Sequence, residues 1–188
     1  MRIASPGPVA AAAAAVALSL SLGLAACTPE PAPIAVPPQP SSTPLFASEE
    51  EALAAAEEAY VAYWLAADSV GHDGWQSLEP LQAVVTPSKL AAESESAQEL
   101  SDANYRLVGN TVARLAQLQS LKAGSDHVTV VAYGCIDISA TKLVDESGAD
   151  ATPSDRDEVL ALEVTFVSDA DGALKVDGSE RWPDSSFC

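Results

Sequence analysis

Three cysteines provide the most nucleophilic side chains in this chain of 188 residues. Cys27 ends an apolar N-terminal run, directly after Leu24 and two alanines. Cys135 lies within a run of β-branched residues, and Cys188 ends the chain. A thiol at a newly formed N-terminus can accept a lipid group, and two thiols that meet can close a disulfide. No further cysteine and no nearby histidine supports a metal site.

Acid–base chemistry would have to come from a few carboxylates, phenols and two histidines. The sequence singles out Asp137 as a base, because an acidic residue beside Cys135 in a core strand is unusual, although a solvent-side position also explains it. Tyr133 is a proton donor on the same strand face, and His72 lies in a Gly-His-Asp-Gly turn. The other candidates are Asp68, Asp73 and Tyr60. They form no convergent, spaced set, so no catalytic, cofactor-binding or metal-ligating residue is predicted.

The chain is strongly acidic, with a net charge of −18. All 27 acidic residues lie after residue 26, together with eight of the nine lysines and arginines. A surface this negative repels phosphate backbones, so nucleic-acid binding is excluded as a function. Solubility of an exported protein explains the charge. Attraction of cations or of a basic partner is the alternative.

Residues 1–26 have the organisation of a signal peptide. Residues 9–24 form an uncharged apolar run of about 16 residues, shorter than the roughly 20 that a membrane-spanning helix needs. The Leu-Ala-Ala-Cys sequence at 24–27 resembles the lipobox of bacterial lipoproteins, whose cysteine accepts a diacylglyceryl group. It predicts lipidation of Cys27 and anchoring on the extracytoplasmic face of the cell membrane. The alternative is an ordinary signal peptide that leaves a free cysteine.

Residues 27–45 predict an extended tether. Seven prolines lie between positions 28 and 44. Proline excludes helix and sheet hydrogen bonding and favours polyproline geometry, at about 3.1 Å per residue. The segment therefore predicts a spacer between the lipid on Cys27 and the domain that follows. Recognition by a proline-binding module is the sharper alternative.

Residues 46–188 predict one globular domain that begins with helices. Ser48 and Glu51 form a capping box, and apolar residues then recur every three or four positions. This first helix is expected to end near Asp68, before two glycines. A short second helix is expected around Pro80. A third helix is expected from Pro87 to about residue 104, with a solvated acidic face.

The second half of the domain predicts antiparallel strands. Dense β-branched residues and alternating apolar positions mark them. The expected strands span residues 111–121, 128–138, 159–167 and 173–177. The first of these is ambiguous, because its apolar residues recur at every third position. A long polar loop is expected at 145–156.

Cys135 and Cys188 predict a disulfide. Cys135 shares a strand face with Tyr133 and Asp137, opposite the core face. Outside the cytoplasm an even pair of cysteines normally closes, and this bond would hold the C-terminal tail across the sheet. Two free thiols are the alternative.

Three helices followed by about four antiparallel strands resemble the nuclear transport factor 2-like fold. A first helix with Tyr60, Tyr63 and Trp64, the strand sequence Cys135-Ile-Asp137, the lipobox and the terminal cysteine are similar to small lipoproteins of high-GC Gram-positive bacteria. The resemblance implies an α+β cone, with the helices packed on a curved antiparallel sheet. It implies almost nothing about activity.

The sequence therefore predicts a membrane-anchored lipoprotein that displays a non-enzymatic binding or protein-interaction domain of uncharacterised activity. Its partners are the membrane, through the lipid on Cys27, and an unknown protein or small-molecule ligand. Dimerisation through the sheet is a further prediction. The alternative function is a small-molecule isomerase, dehydratase or hydrolase, because ketosteroid isomerase-like and polyketide cyclase-like relatives place an acid–base pair at the cone mouth. Asp137, Tyr133 and His72 would be the polar groups there. No cofactor is predicted.

Overall fold

The computed structural model describes residues 44–188. The predicted leader, Cys27 and the tether as far as residue 43 lie outside the described residues. Three helices precede the main sheet, and six strands follow them in the chain. The helices are α1 (Glu49–His72), α2 (Glu79–Gln82) and α3 (Pro87–Asp102). The strands are β1 (Arg106–Val108), β2 (Val112–Ala123), β3 (Val128–Asp137), β4 (Lys142–Val144), β5 (Val159–Ser168) and β6 (Leu174–Arg181).

The strands form two antiparallel sheets. The larger has the order β2-β3-β5-β6, so that each strand pairs with its neighbour along this series. The smaller sheet pairs β1 with β4 and was not predicted from the sequence. Helices followed by an antiparallel sheet confirm the α+β class. None of the helices in residues 44–188 combines the length and apolarity that crossing a bilayer requires.

The core lies between α1 and the inner face of the larger sheet. Tyr60 on α1 is 1% exposed, and its ring meets the ring of Phe166 on β5 edge-on at 6.2 Å. Gly134 on β3 leaves room for it, since a Cβ there would lie 3.1 Å from Tyr60 Cε1. The inner positions Val130 and Ala132 are fully buried beside it, as the alternation along this strand predicts.

Two β-bulges explain the unusual spacing of apolar residues in β2. The pairing with β3 slips between Leu115 and Gln117 and again between Leu118 and Ser120, so β2 carries an extra residue at each place. Each extra residue reverses the alternation of side chains. Leu115, Leu118 and Leu121 can therefore all face the core although they lie three positions apart. Bulges also bend a strand and increase its twist locally.

Helix α1 is longer than the sequence predicts. It continues through Gly71 to His72 instead of ending near Asp68. Gly71 does not break the helix but lies against Leu107 of β1. A Cβ at this position would lie 2.8 Å from the Cβ of Leu107. The first left-handed residue comes later, at Gly74, where φ is +69°.

A third bulge connects the sheet to the start of α3. The pairing of β5 with β6 slips so that Asp177 is the extra residue on β6. Its carboxylate accepts hydrogen bonds from Thr86 Oγ1 at 2.6 Å and Ser88 Oγ at 3.1 Å. Thr86 also caps α3, accepting from the backbone N–H of Lys89. The predicted second helix is a single turn, because Val85 leaves it to form a bridge with β6.

The described chain enters the domain at the hairpin end of the sheet. Leu45 packs on Gly172 in the turn between β5 and β6, where a Cβ would lie 2.8 Å from Leu45 Cδ1. Asp169 Oδ1 accepts hydrogen bonds from the N–H groups of Asp171 and Ala173 in this turn. The strands expected at 159–167 and 173–177 pair as an antiparallel hairpin across this turn.

Replacing Gly71 with alanine tests the close approach of α1 to β1. Alanine in a helix interior is ordinarily more stable than glycine by about 1 kcal/mol. Here we expect the opposite, a loss of about 1–3 kcal/mol of unfolding free energy, because the new methyl overlaps Leu107. Urea unfolding measures it. The control is Gly178→Ala, where a Cβ meets nothing within 4 Å and stability should not fall. A stabilised Gly71→Ala variant would contradict this account.

Candidate functional site

The predicted disulfide is present and joins the C-terminal tail to β3. Cys135 and Cys188 have their Cα atoms 5.7 Å apart and are bonded through their sulfur atoms, 53 positions apart in sequence. Cys135 is buried, whereas Cys188 lies at the surface. We call residues 182–188 the C-terminal clasp. The bond fixes this segment on the outer face of the sheet, opposite α1.

Aromatic and polar contacts hold the two ends of the clasp against the sheet. The ring of Tyr133 lies 4.7 Å from that of Trp182 and 5.8 Å from that of Phe187. Arg114, the neighbour of Cys135 on β2, donates hydrogen bonds to the carbonyls of Phe187 and Cys188 at 2.9 and 3.0 Å. Tyr133 therefore contributes packing to the outer face and is not free at the mouth of a cavity.

Asp137 lies at the end of β3 on the outer face. The backbone N–H of Ser139 donates to its carboxylate at 2.9 Å, and hydrogen bonding by Ser139 lowers the pKa of Asp137. Its partners across the sheet are Val112 and Val159, which are 63% and 44% exposed. A partly exposed carboxylate with a lowered pKa is ionised at neutral pH and is a weaker base than a free one.

His72 is the last residue of α1 and is exposed. Its Nε2 donates a hydrogen bond to the carbonyl of Gly109 at 2.6 Å, which connects the helix end to the loop between β1 and β2. Among the described residues, no hydrogen bond or aromatic contact joins His72, Tyr133 and Asp137 to one another. Tyr133 and Asp137 lie four positions apart along the strand, about 13 Å. The three residues named from the sequence do not converge.

Asp68 is the carboxylate that the fold does bury, at 3% exposure. Its two oxygens accept hydrogen bonds from Thr111, one from the backbone N–H at 2.7 Å and one from the hydroxyl at 2.8 Å. Both donors come from the residue just before β2. The carboxylate therefore joins α1 to the start of β2 through two hydrogen bonds.

The aromatic residues of α1 form a second polar cluster, which sequence reasoning missed. The hydroxyl of Tyr63 donates to Glu93 Oε1 on α3 at 2.7 Å, and Lys89 Nζ lies 2.8 Å from the same oxygen. Burial, with the charge of Glu93 next, raises the pKa of Tyr63. The acidic face of α3 was expected to be only solvated. Instead, Glu93 lies on the face that meets α1, a contact that helical spacing alone does not reveal.

Tyr60 and Trp64 differ from Tyr63 and Glu93 because their polar atoms lack hydrogen-bond partners. The hydroxyl of Tyr60 and the Nε1 of Trp64 are both buried without a hydrogen bond. Burial raises the pKa of Tyr60 to about 12. The interior that a cone-mouth site would open into is filled here by these rings and by Phe166.

The described surface has several shallow concavities, and most are polar. The one at the ends of α1 and α3, about 480 Å³, is lined by Gly74, Gln76, Asn104 and neighbouring loop residues. A concavity of about 570 Å³ differs because it is apolar and lies on the outward face of α1. Its residues are Ala54, Glu57, Glu58, Val61, Ala62 and Leu65. Within residues 44–188, no three acidic, histidine or cysteine side chains group to hold a metal ion.

Comparison with known proteins identifies no family for this chain. No family model matches it, and no curated protein matches it. Among solved structures it is similar to the crystal structure of the intermembrane space region of chloroplast protein ARC6, at 14% identity. The match covers 70% of this chain and 97% of that chain, with a TM-score of 0.47. A likeness of this degree carries no argument about function.

Removing the disulfide tests the clasp. In Cys188→Ser we expect a loss of about 2–4 kcal/mol of unfolding free energy, because the bond closes a loop of 53 residues. Thermal and urea unfolding with and without a reductant measure this loss. The reductant should destabilise the original protein and leave Cys188→Ser unchanged. Equal stability of the two proteins in the absence of reductant would contradict the prediction.

The two buried tyrosines provide a matched pair of variants. Tyr60→Phe removes an unpaired hydroxyl, so we expect stability at neutral pH to stay the same or rise by about 1 kcal/mol. Tyr63→Phe removes the hydrogen bond to Glu93, so we expect a loss of about 1–2 kcal/mol. Urea unfolding compares them. Equal losses in both variants would contradict the different roles of the two hydroxyls.

The pH dependence gives a second measurement on Tyr60. Burial raises the pKa of Tyr60, so the phenolate forms more readily in the unfolded chain than in the fold. The free energy of unfolding is therefore at its full value below pH 10, the ordinary pKa of tyrosine, and falls as the pH rises through about 12. Tyr60→Phe should therefore lose stability less steeply over this range than the original protein.

Proposed function

We propose that this protein is an extracytoplasmic lipoprotein that displays a non-enzymatic interaction domain from the outer surface of the cell membrane. The observation that carries the proposal is the Cys135–Cys188 disulfide. Structural disulfides persist in oxidising compartments and are rare in the cytosol. A bond that holds the whole C-terminal clasp favours a domain that folds outside the cytoplasm.

The assignment of cysteines supports the anchor. Two of the three cysteines are joined to each other, which leaves Cys27, at the end of the apolar leader, as the remaining thiol. A diacylglyceryl group there supplies two acyl chains, which is what stable membrane anchoring takes. The proline-rich residues that follow would then hold the domain up to roughly 50 Å from the membrane.

We further propose that the domain is a nuclear transport factor 2-like cone. The order of elements supports it, since three helices precede the four strands β2, β3, β5 and β6. The bulges in β2 and β6 supply the curvature that such a cone needs.

An interaction role is favoured over the enzymatic alternative by the position of the ionisable groups. An isomerase or hydrolase of this fold needs a base or acid that faces a cavity. Asp137 is partly exposed on the outer face, His72 is exposed at a helix end, and Asp68 is occupied by two hydrogen bonds. The apolar concavity on α1 instead offers a surface for another molecule.

Replacement of Cys27 by serine tests the anchor. In a Gram-positive host, we expect the original protein in the membrane fraction and Cys27→Ser in the medium, because serine cannot accept the lipid. Cell fractionation with immunoblotting measures the distribution. The matched control is Cys188→Ser, which removes a different thiol and should stay in the membrane fraction. Retention of Cys27→Ser in the membrane would refute the anchor.

A further inference from the structure

Helix α1 has a second apolar stripe that points away from the sheet. Its inward face uses residues such as Ala56 and Tyr60, which are buried. On the opposite side Leu65 is 65% exposed and Val61 is 39% exposed. We call the six residues that line the concavity there the outer stripe: Ala54, Glu57, Glu58, Val61, Ala62 and Leu65. Their spacing of three and four positions places them in one row along the helix.

The charge of the outer stripe is negative and uncompensated. Glu57 and Glu58 lie within it, and none of the ion pairs found in residues 44–188 includes either of them. The 24 residues of α1 contain no lysine or arginine. Exposed leucine and valine beside unpaired carboxylates indicate a surface that is complementary to apolar side chains next to basic ones.

We propose that the outer stripe docks an amphipathic helix that carries lysine or arginine beside its apolar residues. The inference rests on the proposed interaction function and adds the surface and the chemistry of the partner. Leu65 and Val61 would pack among the partner's apolar side chains. The small residues Ala54 and Ala62 let two helix backbones approach closely, and Glu57 and Glu58 would meet the basic residues.

Charge excludes a second copy of this chain as the favoured occupant. Two copies of α1 packed through this stripe would bring four glutamates together, and each chain carries a net charge of −18. Like charges brought face to face at an interface cost binding free energy. A basic helix is instead attracted by the negative electrostatic field of the chain. The same attraction increases its rate of association at low salt.

The interface would be small. One helix packed along about three turns of α1 buries less area than a standard protein interface, which indicates a transient complex with a dissociation constant in the micromolar range. Its affinity would fall as salt is added, because the glutamates are exposed and their attraction is screened.

A designed peptide tests the surface without knowledge of the natural partner. The probe is a helical Leu/Lys peptide of about 18 residues, or five turns, with leucines at helical spacing. Its control is a peptide of the same composition whose order destroys the apolar face. The protein is the full chain with Cys27→Ser. Binding is measured by titration calorimetry at several salt concentrations.

We expect the amphipathic peptide to bind at least ten times more tightly than its reordered control. Val61→Gln combined with Leu65→Gln should weaken binding about tenfold, the loss of about 1.4 kcal/mol expected for two partly buried side chains. Glu57→Gln with Glu58→Gln should weaken binding and flatten its salt dependence. The matched control is Val112→Gln, an exposed valine on the sheet, which should bind like the original. Circular dichroism and urea unfolding should be unchanged in all variants.

Several outcomes would overturn the proposal. Equal binding of the two peptides, or of the Val61/Leu65 variant and the original, shows that only net charge attracts the peptide. If sedimentation shows a dimer and Leu65→Gln abolishes it, the outer stripe is occupied by a second copy of the chain. If the protein adsorbs to zwitterionic lipid vesicles and Leu65→Gln abolishes this adsorption, the outer stripe contacts a membrane surface. None of these results depends on the lipid anchor, which the fractionation of Cys27→Ser tests separately.

Discussion

The packing of α1 against the inner face of the larger sheet is the constraint on which the other features depend. Tyr60 fills the space between helix and sheet, and Gly134 and Phe166 shape that space from β3 and β5. The small residues Ala52 and Ala56 on the same side of α1 let the helix lie close to the strands. Because this interior is filled by side chains, the surfaces available for function lie on the outside of the domain.

The domain has two outer surfaces, the outer face of the larger sheet and the outward side of α1, and they differ in how far they are covered. The outer face of the sheet is partly covered by the C-terminal clasp, which places Trp182 and Phe187 over Tyr133. The outward side of α1 has no such cover among the described residues, and Leu65 there is largely exposed. The outward side of α1 therefore carries the most exposed leucine among the described residues, and an exposed apolar row of this kind is the feature on which the proposed docking surface rests.

The α+β class, the order of the elements and the disulfide could be predicted because each depends on local pattern. Alternation along β3 gives its inward and outward faces, and an even pair of cysteines gives the bond. The end of α1 could not be predicted from the sequence. A glycine that ends a helix and a glycine that leaves room for a neighbouring strand have the same sequence signature. Gly71 is of the second kind, and only the position of Leu107 reveals it.

Other features escaped prediction because they arise from pairing between distant segments. The strands β1 and β4 are three residues each, too short for alternation to mark them. The three-residue spacing in β2 suggested neither helix nor strand clearly, since bulges are a property of two paired strands. For the site, Asp137 was singled out for its position beside Cys135 and His72 for its place in a turn. The exposure of each depends on which face of the sheet and which end of the helix the fold assigns to it. The contacts of Glu93 with Lys89 and Tyr63 depend on the packing of α3 beside α1, which the sequence of either helix alone does not reveal.

The disulfide also determines how the domain would respond to a mechanical load. A pull on the N-terminal end, where Leu45 meets the domain, reaches α1 first and can draw it from the sheet. The bonded cysteines are 53 positions apart, and the chain between them forms a covalently closed loop that cannot lengthen under that pull. About 180 Å of chain is thereby withheld from extension. The strands β5 and β6 lie inside this loop, so half of the larger sheet is shielded from stretching even when the helices are not.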